Sequence, residues 1–343
     1  MKQLFNRQRL TVQIPSKDST PAKSPLVSRT SRLRVFEACL VIGIAFGSSI
    51  ISSILPLVGD SNSNEFFRIL YSWISSAIDI IGGVAMLIYV IIRKLPRTSH
   101  TGHPLTSLLV TMKQIGFVEW LLILAVASWS SLSYLAYYGL QGMEWMPISI
   151  LRNWSGLRSV IDMVIGLAVL AYVLQQSGRS WRDIGLTWSS KAAVLALPVL
   201  LLYQLIWRIQ VPAIYWLGRT FGSVAWRPPN IGFMLHGDTT EILEVAEVLL
   251  VGFYEELIVR AYLMTEIIAL TRSAWLAVVV SVVVQSSYHF YQGVPLALSH
   301  VLLFTVYALF YVRTRMVLPL ALAHSLADIN AVWSYGLKTM SFG

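Results

Sequence analysis

The chain has 343 residues, 56% of them hydrophobic and 13% charged, with a mean hydropathy of +0.65; a soluble chain averages about 25% charged residues, so the composition argues against a soluble fold. Lys and Arg outnumber Asp and Glu by 26 to 17, a formal balance of +9 that suits either nucleic acid or the cytoplasmic face of a membrane. The single cysteine, Cys39, rules out an internal disulfide, a cysteine-rich metal site and a redox pair.

Residues 1–34 are polar and basic, with Asp18 as the only acid. They read as a disordered cytoplasmic tail held near anionic lipid. It is too long and polar for the n-region of a cleaved signal peptide, so the first apolar run is expected to stay as an anchor. Apolar runs of about 20 residues, enough to cross a hydrocarbon core of about 30 Å, follow at Val35–Val58, Phe66–Ile92, Ile115–Tyr138 and Leu157–Leu174. Five more run Ala192–Ile209, Thr240–Leu270, Ala274–Phe290, Pro295–Val312 and Met316–Trp333. The expected fold is an all-α polytopic membrane protein of about nine spanning helices, because continuous rather than alternating apolar runs select helices. It divides into the tail, a four-helix N-terminal membrane region (35–179) and a C-terminal core (180–343).

The even-numbered links are rich in positive charge: Arg93, Lys94, Arg97 and Lys113, then Arg179, Arg182 and Lys191, then Arg272, then Arg313 and Arg315. The odd-numbered links are poorer. This asymmetry predicts a cytoplasmic N-terminus in a cell membrane and accounts for the basic balance without a nucleic-acid partner. No convincing internal repeat is visible, which disfavours a transporter built from two related halves.

Ionisable groups inside spans are costly and mark functional sites by default. Asp79 and Asp162 in the first half read as helix-packing or interfacial groups. The second half is denser, with Glu255, Glu256 and Arg260 in one helix, His289 in the next, His300 in the next, and His324 with Asp328 in the last. Glu256 and Arg260, four apart, are expected to pair, which leaves Glu255 pointing about 100° away. Counting about 1.5 Å per residue from the cytoplasmic ends puts Glu255, His289 and His324 roughly 22, 22 and 12 Å deep, compatible with one buried pocket. His300 reads as a helix-interface histidine, and Trp275 and Tyr291 as interfacial aromatic residues.

These residues resemble the motifs of the CAAX protease and bacteriocin-processing (CPBP) family of intramembrane endopeptidases, which includes the type 2 CAAX prenyl proteases. Glu255-Glu256-Leu-Ile-Val-Arg260 reads as Glu-Glu-x-x-x-Arg, and His324-Ser-Leu-Ala-Asp328 as a His followed four residues on by Asn or Asp. His289 matches the middle motif, but the family's Phe four residues earlier is Gln285. Trp181-Arg-Asp-Ile-Gly185-Leu186 is similar to a Gly-Leu stretch that often precedes the family's core. The resemblance covers roughly residues 180–331.

It implies an intramembrane glutamic endopeptidase acting on a membrane-associated protein or peptide. Glu255 and His289 would activate a water and His324 would face the oxyanion, while Glu256 and Arg260 support the site. An ionised Asp328 accepts hydrogen bonds only, so its expected role is to orient His324. No cofactor is expected. The metal alternative is zinc on Glu255, His289 and His324, a ligand set of suitable type that lacks a His-Glu-x-x-His helix. Two other functions stay open: a non-enzymatic immunity or scaffold protein that binds a peptide, and a proton-coupled transporter.

Overall fold

A computed structural model describes residues 25–58, 65–95, 111–141, 148–221, 242–292 and 294–341. Every regular element among them is helical. In chain order these are α1 (Pro25–Val58), α2 (Glu65–Lys94), α3 (Phe117–Gln141), α4 (Ile148–Gln176), a 3₁₀ turn (Trp181–Ile184) and α5 (Ser190–Phe221). Next come α6 (Ile242–Glu255), a π-helical stretch (Glu256–Leu263) and α7 (Met264–Thr271), which form one continuous rod. The chain closes with α8 (Ala274–Ser287), a 3₁₀ turn (Phe290–Gln292), α9 (Val294–Thr314) and α10 (Leu318–Ser341).

Large apolar side chains cover the outside of this bundle instead of its interior alone. On α5, Val194, Leu197, Leu201, Leu205 and Ile209 are all exposed, as are Trp275, Val279 and Val283 on α8. An exposed apolar surface that extends along whole helices is what a hydrocarbon solvent selects. Together with the helix lengths it makes the chain an all-α, multi-pass integral membrane protein.

Five segments among the described residues are long and apolar enough to cross a bilayer: Ser31–Ile51, Trp73–Lys94, Gly156–Gln176, Ser190–Ile214 and Leu296–Thr314. The other expected spans differ for identifiable reasons. α3 is a 25-residue helix that contains the apolar stretch Phe117–Trp129. α8 stops after 14 residues, about 21 Å of rise. The rod containing Glu255, Glu256 and Arg260 and the helix containing His324 and Asp328 carry the ionisable groups that dilute an apolar window. At the other end, α1 begins at Pro25 and not at Val35, so helix extends ten residues into the expected polar tail. Proline suits a first helical position. Residues 1–24 lie outside the described residues.

α10 packs along α5 and α6, α8 along α9, and α4 against α6. α1 touches both halves, packing on α2 and α4 and also on the π-helical stretch, α7 and the Phe290–Gln292 turn. Tyr254 donates from its hydroxyl to Ala45 O (2.7 Å), Ser53 donates to Tyr288 O (2.7 Å), and Phe46 stacks on Tyr288 with ring centroids 4.5 Å apart. Between α1 and α2, Glu37 pairs with Arg93 and accepts from Tyr89 at 3.0 Å.

Candidate active site

Glu255 ends α6 and Glu256 opens the π-helical stretch. A π turn closes its hydrogen bonds to residue i+5 and offsets the side chains that an α-helix would stack. The expected Glu256–Arg260 pair is accordingly loose, with Nε 3.7 Å from Oε2. Arg260 instead donates to Ser281 Oγ (2.7 Å) and Phe304 O (3.3 Å), with its guanidinium over the Phe304 ring. Both Glu256 and Arg260 are fully buried.

Glu256 turns to α10, where its Oε1 accepts from His324 Nδ1 at 3.1 Å. The other ring nitrogen of His324, Nε2, lies 3.5 Å from Asp328 Oδ2 and 4.0 Å from Glu255 Oε2. Glu256, expected to be neutralised by Arg260, is thus the acid that contacts His324 most closely. Asp328, expected to orient His324, faces the opposite nitrogen at a longer distance. One carboxylate thus bonds Nδ1, and two more lie within 4.0 Å of Nε2.

His289 was expected near the end of a helix, but α8 ends at Ser287 and His289 sits in a turn. Its Nδ1–H donates to Gln285 O at 2.6 Å, which fixes the tautomer and makes Nε2 the basic nitrogen of the neutral ring. The Gln285 side chain donates through Nε2 to Glu255 Oε2 (3.0 Å) and, more distantly, to Glu256 Oε1 (3.5 Å). One residue therefore links Glu255 to His289. Glu255, His289 and His324 are each buried, at 9%, 7% and 8% exposure, so these side chains are shielded from bulk solvent.

Two residues belong to this neighbourhood that the sequence did not assign to it. The His300 ring lies 4.9 Å from that of His289 and 5.2 Å from Trp207, and its Nδ1 donates to Leu296 O at 2.6 Å. Gln285 is fully buried at the centre of the cluster. The available signal for Gln285 was a polar side chain in an otherwise apolar run, four residues before a histidine. Asp79 and Asp162 line a separate cavity of about 240 Å³ between α1, α2, α3 and α4, with Arg158, Trp129 and Tyr254 on its wall.

Two glycines set the helix positions. A Cβ at Gly252 would lie 2.3 Å from Ser325 Oγ and 2.6 Å from Ser325 N, so α6 and α10 meet there almost backbone to backbone. That approach brings the acid pair to His324. Gly185 adopts φ +87°, and its carbonyl accepts from Val317 N at 3.1 Å. Tyr311 donates its hydroxyl to Ile184 O at 3.0 Å, so the 181–186 turn is tied to α9 and to the α9–α10 link. Among the described residues no group of three or more His, Cys, Asp or Glu side chains is arranged to hold a metal ion.

Residues 242–330, from the start of α6 to the middle of α10, match the family model of the type II CAAX prenyl endopeptidases, Rce1-like. This stretch is similar to an Rce1-like domain. The match contains every acid and imidazole of the cluster and is consistent with the CPBP family resemblance of the sequence motifs. No curated protein and no solved structure matches the chain. The match supports a CAAX-type intramembrane endopeptidase family for residues 242–330.

Proposed function

We propose that the Rce1-like domain hydrolyses a peptide bond of a membrane-associated protein or peptide, using a water activated by Glu255 and His289. The observation that supports this most directly is the bridge through Gln285, which holds the Glu255 carboxylate and the His289 ring together in a buried place facing His324. Water attacks the scissile carbonyl carbon while its proton passes to Glu255. The negative charge that develops on the carbonyl oxygen is met by His324 Nε2–H, on the side of the ring that faces Glu255. Glu255 then returns the proton to the leaving amine as the carbon–nitrogen bond breaks, and the carboxylate is restored. Fixed donors aimed at developing charge in a dry site supply a large share of such a barrier reduction, and a general base at hydrogen-bond distance adds about 10²–10⁴-fold. Glu256 anchors His324 Nδ1, Arg260 balances the charge of the acid pair, and Asp328 adds a further acceptor beside Nε2.

No step here requires a metal. The same Glu255, His289 and His324 would be the zinc ligands of the metal alternative, so a chelator belongs in the test. Purified full-length protein in liposomes is given an internally quenched membrane peptide ending in a prenylated cysteine followed by three residues, and the same peptide without the prenyl group. Cleavage is expected to persist in chelator and to fall by at least about 10³-fold in Glu255→Gln. If Glu255→Gln cleaves as wild type does, the peptidase reading fails. A cellular phenotype that survives this substitution would favour the peptide-binding immunity or scaffold function, and pH-gradient-driven solute uptake the transporter. The N-terminus is proposed to be cytoplasmic, from the placement of Lys and Arg.

A further inference from the structure

We infer that Gln285 positions the nucleophilic water, a role that rests on the peptidase reading above. α8 is built of Ala, Val, Leu and Ser with Trp275 at its start, and Gln285 is its one long polar side chain. A buried primary amide without partners is destabilising, and this one is fully buried. Carboxylate oxygens accept hydrogen bonds and do not donate, so the face of the amide directed at Glu255 and Glu256 has to be the nitrogen. Its two hydrogens serve two acids: Oε2 of Glu255 at 3.0 Å and Oε1 of Glu256 at 3.5 Å. Adjacent carboxylates repel each other, and a shared donor fixes both orientations. The backbone carbonyl of the same residue takes the Nδ1 proton of His289.

The amide oxygen, Oε1, is buried and has no hydrogen-bond partner among the described residues. A water that gives one hydrogen to Glu255 has a second hydrogen to place. Accepted by Gln285 Oε1, it leaves an oxygen lone pair aimed at the scissile carbonyl. Gln285 exchanges no proton in this scheme and acts by holding other groups. It is therefore a positioning residue, and its removal affects turnover more than substrate binding.

The test uses the full-length protein and the quenched prenylated peptide in liposomes, with Glu255→Gln as control. Gln285→Met keeps the size of the side chain and removes its hydrogen bonds. It is expected to lower kcat at least about tenfold while KM stays within about threefold. Gln285→Glu places a third carboxyl beside the acid pair. It is expected to be slow at neutral pH and to recover as the pH falls, because a protonated carboxyl again offers a donor and a carbonyl acceptor, which moves the rate profile toward acid. Two results overturn the inference while the peptidase reading stands: Gln285→Met with wild-type kcat and pH profile, or a loss matched by lower thermal stability with no acid recovery in Gln285→Glu. If the wild type does not cleave, or Glu255→Gln cleaves equally well, the peptidase reading fails and this inference fails with it.

Discussion

Replacing Gly252 by alanine is expected to loosen the contact that brings the acid pair to His324. The added Cβ would lie 2.6 Å from Ser325 N and 2.9 Å from Ala321 O, both backbone atoms of α10 that cannot rotate away. Restoring an ordinary 3.4 Å to Ser325 N moves α10 outward by about 0.8 Å. His324 Nδ1, now 3.1 Å from Glu256 Oε1, would then be carried to about 3.9 Å, beyond hydrogen-bond reach. Overpacking costs about 1–3 kcal/mol and the lost charge-assisted hydrogen bond about 1.5–3 kcal/mol. The better helix propensity of alanine offsets about 1 kcal/mol. The net destabilisation is about 1.5–5 kcal/mol, with a fall of about 10–100-fold in cleavage from moving the proposed oxyanion donor by nearly 1 Å. Thermal unfolding in detergent micelles and peptide cleavage in liposomes measure the two effects. Gly43→Ala, where an added Cβ meets nothing within 4 Å, serves as the control and should be neutral or slightly stabilising. A Gly252→Ala protein that unfolds within about 1 °C of wild type and cleaves at the same rate would refute the reasoning.

Arg260→Met removes the buried guanidinium beside Glu256 and its hydrogen bonds to Ser281 and Phe304 O, leaving the acid pair with one cation fewer, a loss of about 3–5 kcal/mol readable as a lower unfolding temperature in micelles. Glu256→Gln in the same chain should recover part of that stability without restoring turnover. His300→Phe keeps a flat ring against His289, Trp207 and Phe304 and should cleave within about threefold of wild type. His300→Ala opens a cavity there and should destabilise by about 2–4 kcal/mol, so equal stability in the two variants would argue against a packing role.

The sequence was most legible where chemistry and solvent conflict. Glu255, His289 and His324 stand out because ionisable groups rarely sit in spans, and the Rce1-like match falls on the same helices. Less legible was which acid faces which ring nitrogen. Spacing by four residues assumes α-helical stacking, and the π-helical stretch after Glu255 breaks that assumption, turning Glu256 toward His324 and Arg260 toward Ser281. Gln285 was legible as a departure from a motif but not as a bridge, because its three contacts lie on two other elements and in a turn. The end of α8 was equally hidden, since nothing in the Val-rich run announces that the helix stops before His289. His300 was assigned to packing from its place near a span end. Its nearness to His289 depends on the close association of α8 and α9, which no local pattern encodes.

The wall of α1 beside Tyr254 and Tyr288 has a practical consequence for dissecting this protein. A fragment cut to residues 242–330 would lose the carbonyl that receives the Tyr254 hydroxyl, the ring stacked on Tyr288 and the serine bound to the carbonyl of Tyr288. Those are the immediate sequence neighbours of Glu255 and His289. The first helix is therefore part of the enclosure around the buried acids and imidazoles, and a minimal version of the protein would have to keep it or supply a substitute in trans.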